Sequence, residues 1–410
     1  MSCSNEVRIP SNWAFLEKEV LKEQPDPELV DIDGLIKWVV ECEIADENMV
    51  RKYVKIVRPY YFARLLYPIL PNNRLCREAF KIFLHFVIAV YRCDDRMETE
   101  CDLNDMGKIC NAYDKLDEQL CETFPKIPTV KEMQSSLKFL SEAKLIAPVT
   151  LCMDFVNKVT CAILTHGSVS EDVVFEFRRR LSNSVSIYLK AVKSEKNMTP
   201  EDSDNETLWR RIFGGGPLFL LLYVEISSFS LGKTKEFIPT ITEMYVVSSL
   251  CCIITNDVYS YYRETTESLI YCDSIIKVWL HNKEITTIPE AIARITNILN
   301  ATVKYMFEMG KNVKIQYPNS PEVHALFEYI AYATIGWMFM HDQGSHRYRD
   351  SPWRISLVDV KEIDLQQNKD SYGEDVLKTF LEMSNSKAKK IIDALRGVIA
   401  VREDLIYDNC

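Results

Sequence analysis

Glycine is scarce in this 410-residue sequence: 12 residues, about 3% against a usual ~7%, and the 16 prolines are also slightly few. With so few residues that break helices, and with Leu, Ile, Glu and Lys abundant, the chain is expected to form long helices. No convincing strand pattern or hairpin dipeptide occurs, and no 30–50-residue repeat marks a solenoid. Basic charge is not in excess, because 49 Lys and Arg face 59 Asp and Glu for a net charge of −10. That balance argues against nucleic acid as the main partner, though not against an anionic ligand held through bound cations. The 13 cysteines include no CxxC pair, so a zinc site is not expected. They read as small buried hydrophobes of a reduced, cytoplasmic protein. No basic, apolar leader opens the sequence, and the longest apolar stretches, such as Pro217 to Ile226, fall short of the ~20 residues of a membrane span.

Hydrophobic residues make up 47% of the chain, ample for a large core. Residues 1–30 carry little periodicity and three prolines, and read as an arm packed over the domain. Helix-period patterns then follow over 31–54, 74–94, 105–123, 130–165, 168–194, 206–213, 217–231, 240–264, 268–282, 288–312, 320–341 and 374–407. Pro289, just past Thr286-Thr287, marks a helix start. The polar stretch 193–207 reads as an exposed connection within one domain spanning 31–350. Residues 351–410 form a helical extension that either covers the domain or joins two copies into a homodimer.

Three stretches carry chemistry. Asn256, Ser260 and Glu264 stand four residues apart, so on a helix they share one face at ~6 Å per step. Amide, hydroxyl and carboxylate oxygens make a hard-oxygen set suited to Mg²⁺. A second cluster, Asp94-Asp95-Arg96-Met97-Glu98, ends the apolar run from Ala79 to Tyr91, with Asp94 and Glu98 on one face. Two such clusters suggest metal ions clamping a diphosphate from both sides. Between them, Trp209-Arg210-Arg211-Ile212-Phe213-Gly214-Gly215-Gly216-Pro217 breaks a helix sharply beside arginines able to fork onto phosphate. Plainer readings exist for each: a solvated helix end at Asp94, a satisfied polar network at Asn256, a helix corner at Gly214. The Arg178-Arg179-Arg180 run reads as a solvated helix face, and His341 and His346 as surface or pocket-rim groups.

With these residues in hand, the sequence resembles the class I terpene cyclases of the microbial type. Their aspartate-rich motif is similar to Asp94-Asp95-Arg96-Met97-Glu98, and their (N/D)Dxx(S/T)xxx(K/R)E motif is met by Asn256, Asp257, Ser260, Arg263 and Glu264. The family's diphosphate-sensing arginine, about 46 residues before the triad asparagine, falls on Arg210, its linker on Phe213 and its effector glycine on Gly214. Its C-terminal Arg-Tyr pair is matched by Arg347-Tyr348. The likeness spans roughly residues 75–350, with a longer region between the metal motifs and a longer tail than compact bacterial members have. The extended, cysteine-rich chain resembles the octocoral branch.

The resemblance implies an all-α fold, a single large helical bundle of the isoprenoid synthase type. It also implies a Mg²⁺-dependent cyclase that ionises a prenyl diphosphate, with geranylgeranyl diphosphate favoured over farnesyl diphosphate. Three Mg²⁺ ions are expected on Asp94, Asp95, Glu98, Asn256, Ser260 and Glu264. Arg210, Arg263, Arg347 and Tyr348 are expected on the diphosphate, and Phe213 and Gly214 at the effector turn. Helical steps back from Asp94 place Phe83 and Phe86 inward, and with Trp337 they are the candidate aromatic wall for a carbocation. Alternatives are a chain-elongating prenyltransferase, which would normally carry two DDxxD motifs, and a non-catalytic helical scaffold.

Overall fold

The computed structural model describes residues 6–10, 31–57, 74–166, 170–196, 238–266, 274–344 and 354–358, with single positions at 375 and 378. Among them, helices α1 (Ile32–Glu41), α2 (Glu47–Val57), α3 (Arg74–Glu100), α4 (Leu103–Thr123), α5 (Val130–Ser136), α6 (Ala143–His166) and α7 (Glu171–Lys196) build the first half. The second half holds α8 (Ile238–Thr266), α9 (Ile275–His281), α10 (Ile288–Gln316) and α11 (Pro321–Phe339), which runs on into a wider π-type turn, Met340–Gly344. The expected all-α bundle is what forms. The segments expected to be helical at 206–213 and 217–231 lie outside the described residues, as does nearly all of 374–407.

Helix ends follow local chemistry. The Asp31 carboxylate accepts the Gly34 N–H at 2.9 Å to start α1, and Asp102 accepts from Asp105 at 2.8 Å to start α4. Thr129 and Glu132 cap α5 reciprocally. Thr287 caps α10 with Pro289 in its first turn, as the sequence indicated. The stretch expected as one helix over 31–54 divides at Cys42–Asp46, where Glu43 adopts a left-handed φ of 59°. The stretch 130–165 divides likewise at Ser141, φ 59°. Neither break carries glycine or proline, which is why periodicity alone ran through them.

Helix α6 is the axis of the first half: α3, α4 and α7 all pack on it. It is long and apolar enough to cross a membrane, a property the sequence reading did not credit to any stretch, and 83% of its apolar window is buried inside the bundle. In the second half α8 packs between α10 and α11. Arg178, expected on a solvated face, is 1% exposed; its guanidinium meets the Asp117 carboxylate at 2.9 Å. Burying an arginine requires such a partner, and α7 turns that residue toward α4.

One feature departs from the all-helical expectation. Glu6–Pro10 and Arg354–Val358 pair as a two-stranded parallel ribbon, Glu6 opposite Arg354 and Pro10 opposite Val358, with the first strand lying against α10. Each five-residue segment alternates polar and apolar residues only briefly, too short a signal to stand out beside the long helical patterns.

Candidate active site

The acidic cluster sits within α3, not at its end, because the helix continues to Glu100. Cys93 and Met97 face the core at 1% and 0% exposure, while Asp94, Asp95 and Glu98 occupy the partly open side. Arg96 is turned by ~100° from Asp95 and donates to the carbonyls of Glu43 and Ile44 at 2.8 and 3.1 Å, fastening α3 to the α1–α2 junction. Tyr188 of α7 donates to the Asp94 carboxylate at 3.2 Å. Burial first, then the Asp94 charge, pushes the Tyr188 hydroxyl well above the ordinary phenol range, so it stays a donor. Tyr53 of α2 donates to Asp95. Lys196, at the end of α7, donates to the backbone carbonyls of Glu98 (3.1 Å) and Cys101, and burial lowers its pKa.

The second motif helix, α8, presents Asn256, half-buried, and Ser260, buried, one turn apart. Glu264 follows on the same helix, with its side chain outside the described residues. Asp257 is turned away by ~100° and is 0% exposed; its carboxylate accepts the Ile275 N–H at 2.9 Å and so fixes the start of α9. The two motif helices meet through Arg263, whose Nη1 lies 3.4 Å from the Asp95 carboxylate. Both partners of this ion pair are largely enclosed, at 17% and 13% side-chain exposure.

Below this level lie aromatics. Trp337 of α11 donates its indole N–H to the Cys252 carbonyl at 3.3 Å, one turn before Asn256. Its ring lies nearly parallel to that of Tyr91, centroids 6.2 Å apart, one turn before Asp94. Phe83 and Phe86, expected on an inner wall, are 1% and 0% exposed, and Phe86 stacks on Phe155 of α6 at 3.9 Å. Phe86 thus packs against α6, a partner that helical counting along α3 could not identify. His341, expected at a surface or rim, is 0% exposed. Its Nδ1 lies 2.9 Å from the Trp337 carbonyl and its Nε2 3.2 Å from Asn256 Oδ1. Beside it Tyr259 donates to Asp342 at 2.9 Å.

Arg210, Phe213, Gly214, Arg347 and Tyr348 lie outside the described residues. Tyr53, Tyr188 and Lys196 were not singled out for the site, and His341 only as a surface or pocket-rim group; the fold reveals their contacts, since each reaches a motif residue from a distant segment. Among the described residues no three His, Cys, Asp or Glu side chains converge as a metal cluster. The motif residues offer carboxylate, amide and hydroxyl oxygens on two helices joined by the Arg263–Asp95 pair, a hard-oxygen set of the kind that fits Mg²⁺. Burial raises the pKa of the Cys152 and Cys252 thiols to about 12, so they pack as inert apolar groups.

A family profile described as terpene synthase family 2, C-terminal metal binding, matches residues 88–305, just over half of the chain and both motif helices. A sequence search of curated proteins finds no match. Among solved structures, the fold is similar to a variant of the SVS_A2 protein from ancestral sequence reconstruction (TM-score 0.56, 13% identity, 87% of this chain and 97% of that one). It is also similar to a cucumene synthase variant (0.55, 14%, 80% and 98%). A third likeness is 2-methylisoborneol synthase from Streptomyces coelicolor A3(2) in complex with Mg²⁺ and 2-fluoroneryl diphosphate (0.53, 13%, 82% and 96%).

Proposed function

The chain belongs to terpene synthase family 2, and from that premise we propose that it is a Mg²⁺-dependent cyclase of a linear prenyl diphosphate, geranylgeranyl diphosphate before farnesyl diphosphate. The observation that carries this reading is the 3.4 Å contact between Arg263 and Asp95, which holds the two motif helices face to face. Asp94, with Glu98, would hold metal on one side, and Asn256, Ser260 and Glu264 on the other. Bound Mg²⁺ supplies neutralisation of the charge that accumulates on a departing diphosphate.

The protein's residues do the rest. Arg210, Arg347 and Tyr348, by motif position, donate to the diphosphate oxygens as the C–O bond breaks and its electron pair leaves with the diphosphate. Arg263, anchored to Asp95, fixes the width of the opening and adds positive charge beside the leaving group. Phe213 and Gly214, by motif position, would respond to diphosphate binding. Trp337 and Tyr91, one turn below the acidic and triad residues, offer ring faces that attract a cation without taking its proton. Enclosure by these groups keeps water from quenching the allylic cation before the chain closes on itself.

Incubation with each diphosphate and Mg²⁺, followed by gas chromatography and mass spectrometry, tests the reading. A cyclic product from the twenty-carbon substrate alone, abolished by chelation, is expected. A longer linear prenyl diphosphate formed only when isopentenyl diphosphate is added would overturn it.

A further inference from the structure

The ring of His341 is clamped between two oxygen atoms, 2.9 Å from the Trp337 carbonyl at Nδ1 and 3.2 Å from Asn256 Oδ1 at Nε2. A carbonyl oxygen only accepts, so Nδ1 carries hydrogen, and in a neutral ring Nε2 is then an acceptor. With Oδ1 toward it, two acceptors would face each other. A half-turn of the amide about χ2 removes the conflict: the Asn256 NH₂ donates to Nε2, and Oδ1 swings to the opposite side of the side chain. The same half-turn points away from His341 the one amide atom that can bind a hard cation. Packing leaves the ring little freedom, since Trp337 and Tyr259 lie 5.0 and 6.0 Å from it, centroid to centroid. The π-type turn at Met340–Gly344 is what carries His341 to this depth, and such turns concentrate at functional sites.

We propose that His341 is a positioning residue for the second metal set: as the Nδ1–H tautomer it accepts the Asn256 amide N–H, thereby turning Asn256 Oδ1 toward the cation. This rests on the reading of Asn256 as a metal ligand given above. It is the amide counterpart of the carboxylates that orient metal-bound histidines from behind.

The test titrates full-length protein with Mn²⁺ in the presence of inorganic pyrophosphate, following free Mn²⁺ by electron paramagnetic resonance. His341→Phe keeps a ring between Trp337 and Tyr259 and is expected to weaken the Mn²⁺ bound with pyrophosphate by about 10- to 100-fold. His341→Gln, which still offers one donor and one acceptor, is expected to stay within about threefold of wild type by the same hydrogen-bond logic. Unchanged binding in the Phe variant, or an equal loss in both, overturns the proposal. The ¹⁵N spectrum of labelled wild type, read independently of either variant's folding, is expected to show His341 as the Nδ1–H tautomer. The Nε2–H form would overturn the proposal. Wild type that binds no Mn²⁺ with pyrophosphate would instead sink the cyclase reading itself, and this proposal with it.

Discussion

Arg263 and Asp95 stand 168 positions apart in the chain and 3.4 Å apart in space, each enclosed to more than four-fifths. Asp95 also accepts from Tyr53, so one carboxylate joins α2, α3 and α8. Removing one partner of such an enclosed pair leaves a charge with poor solvation. Arg263→Ala is expected to cost about 1–3 kcal/mol of stability, between the exposed and fully buried cases. Turnover should fall further than stability does, because the opening loses its fixed width. Chemical denaturation beside diphosphate-release kinetics checks this, and a double variant with Asp95→Asn should cost less than the two single losses summed.

Tyr188 was invisible as a site residue, yet it reaches Asp94 from α7 at 3.2 Å. Tyr188→Phe removes one hydroxyl and leaves the ring. The expected outcome is a 10- to 100-fold loss of Mg²⁺ affinity with little change in fold, as when an outer-shell partner of a metal ligand is deleted. The Mg²⁺ dependence of turnover and a thermal melt together decide it.

Neighbours in one motif should fail differently. Asp257 holds the Ile275 N–H rather than facing the opening, so Asp257→Ala is expected to lose about 1–3 kcal/mol of stability. Asn256→Ala should instead remove Mg²⁺-dependent binding of pyrophosphate, far beyond the ~1 kcal/mol expected from losing its His341 contact. Melting and binding measured on both variants would show the two effects separated.

The long helices were legible because breakers are rare and apolar periodicity is strong, and the α10 start was readable from Thr287 and Pro289. The two motifs were legible because their chemistry is local: four-residue spacing on one helix is a sequence property. What supports them is not. Tyr53, Tyr188 and His341 come from helices 42, 94 and 85 positions away from the residues they touch. No local pattern distinguishes them from other buried polar groups. The inward count did place Phe83 and Phe86 on the buried side of α3, but helical phase tells only which side is apolar, not which neighbour packs on it. Arg178 shows the converse, a residue in a charged run drawn inside by Asp117.

Away from the site, burial depresses the pKa of His85 to about 4, and its Nε2 has no hydrogen-bond partner among the described residues. A base whose folded pKa lies below its unfolded value near 6.5 favours the unfolded state once it can be protonated. Its contribution is therefore intact above pH 6.5 and is lost as the pH falls toward 4, a span worth about 3 kcal/mol. Asp154, whose pKa burial raises, works in the opposite sense over the same acid range. Urea denaturation at pH 7, 5.5 and 4.5 should therefore show a shallower acid loss in His85→Leu than in wild type.

The central claim is that the residues on α3 and α8 serve one leaving group. Calorimetric titration of inorganic pyrophosphate into the full-length protein tests it most directly. Binding is expected only with Mg²⁺ present, and Asp94→Ala and Asn256→Ala should each weaken it at least tenfold while both variants remain folded. Pyrophosphate bound equally well by either variant, or equally well without Mg²⁺, would contradict the account.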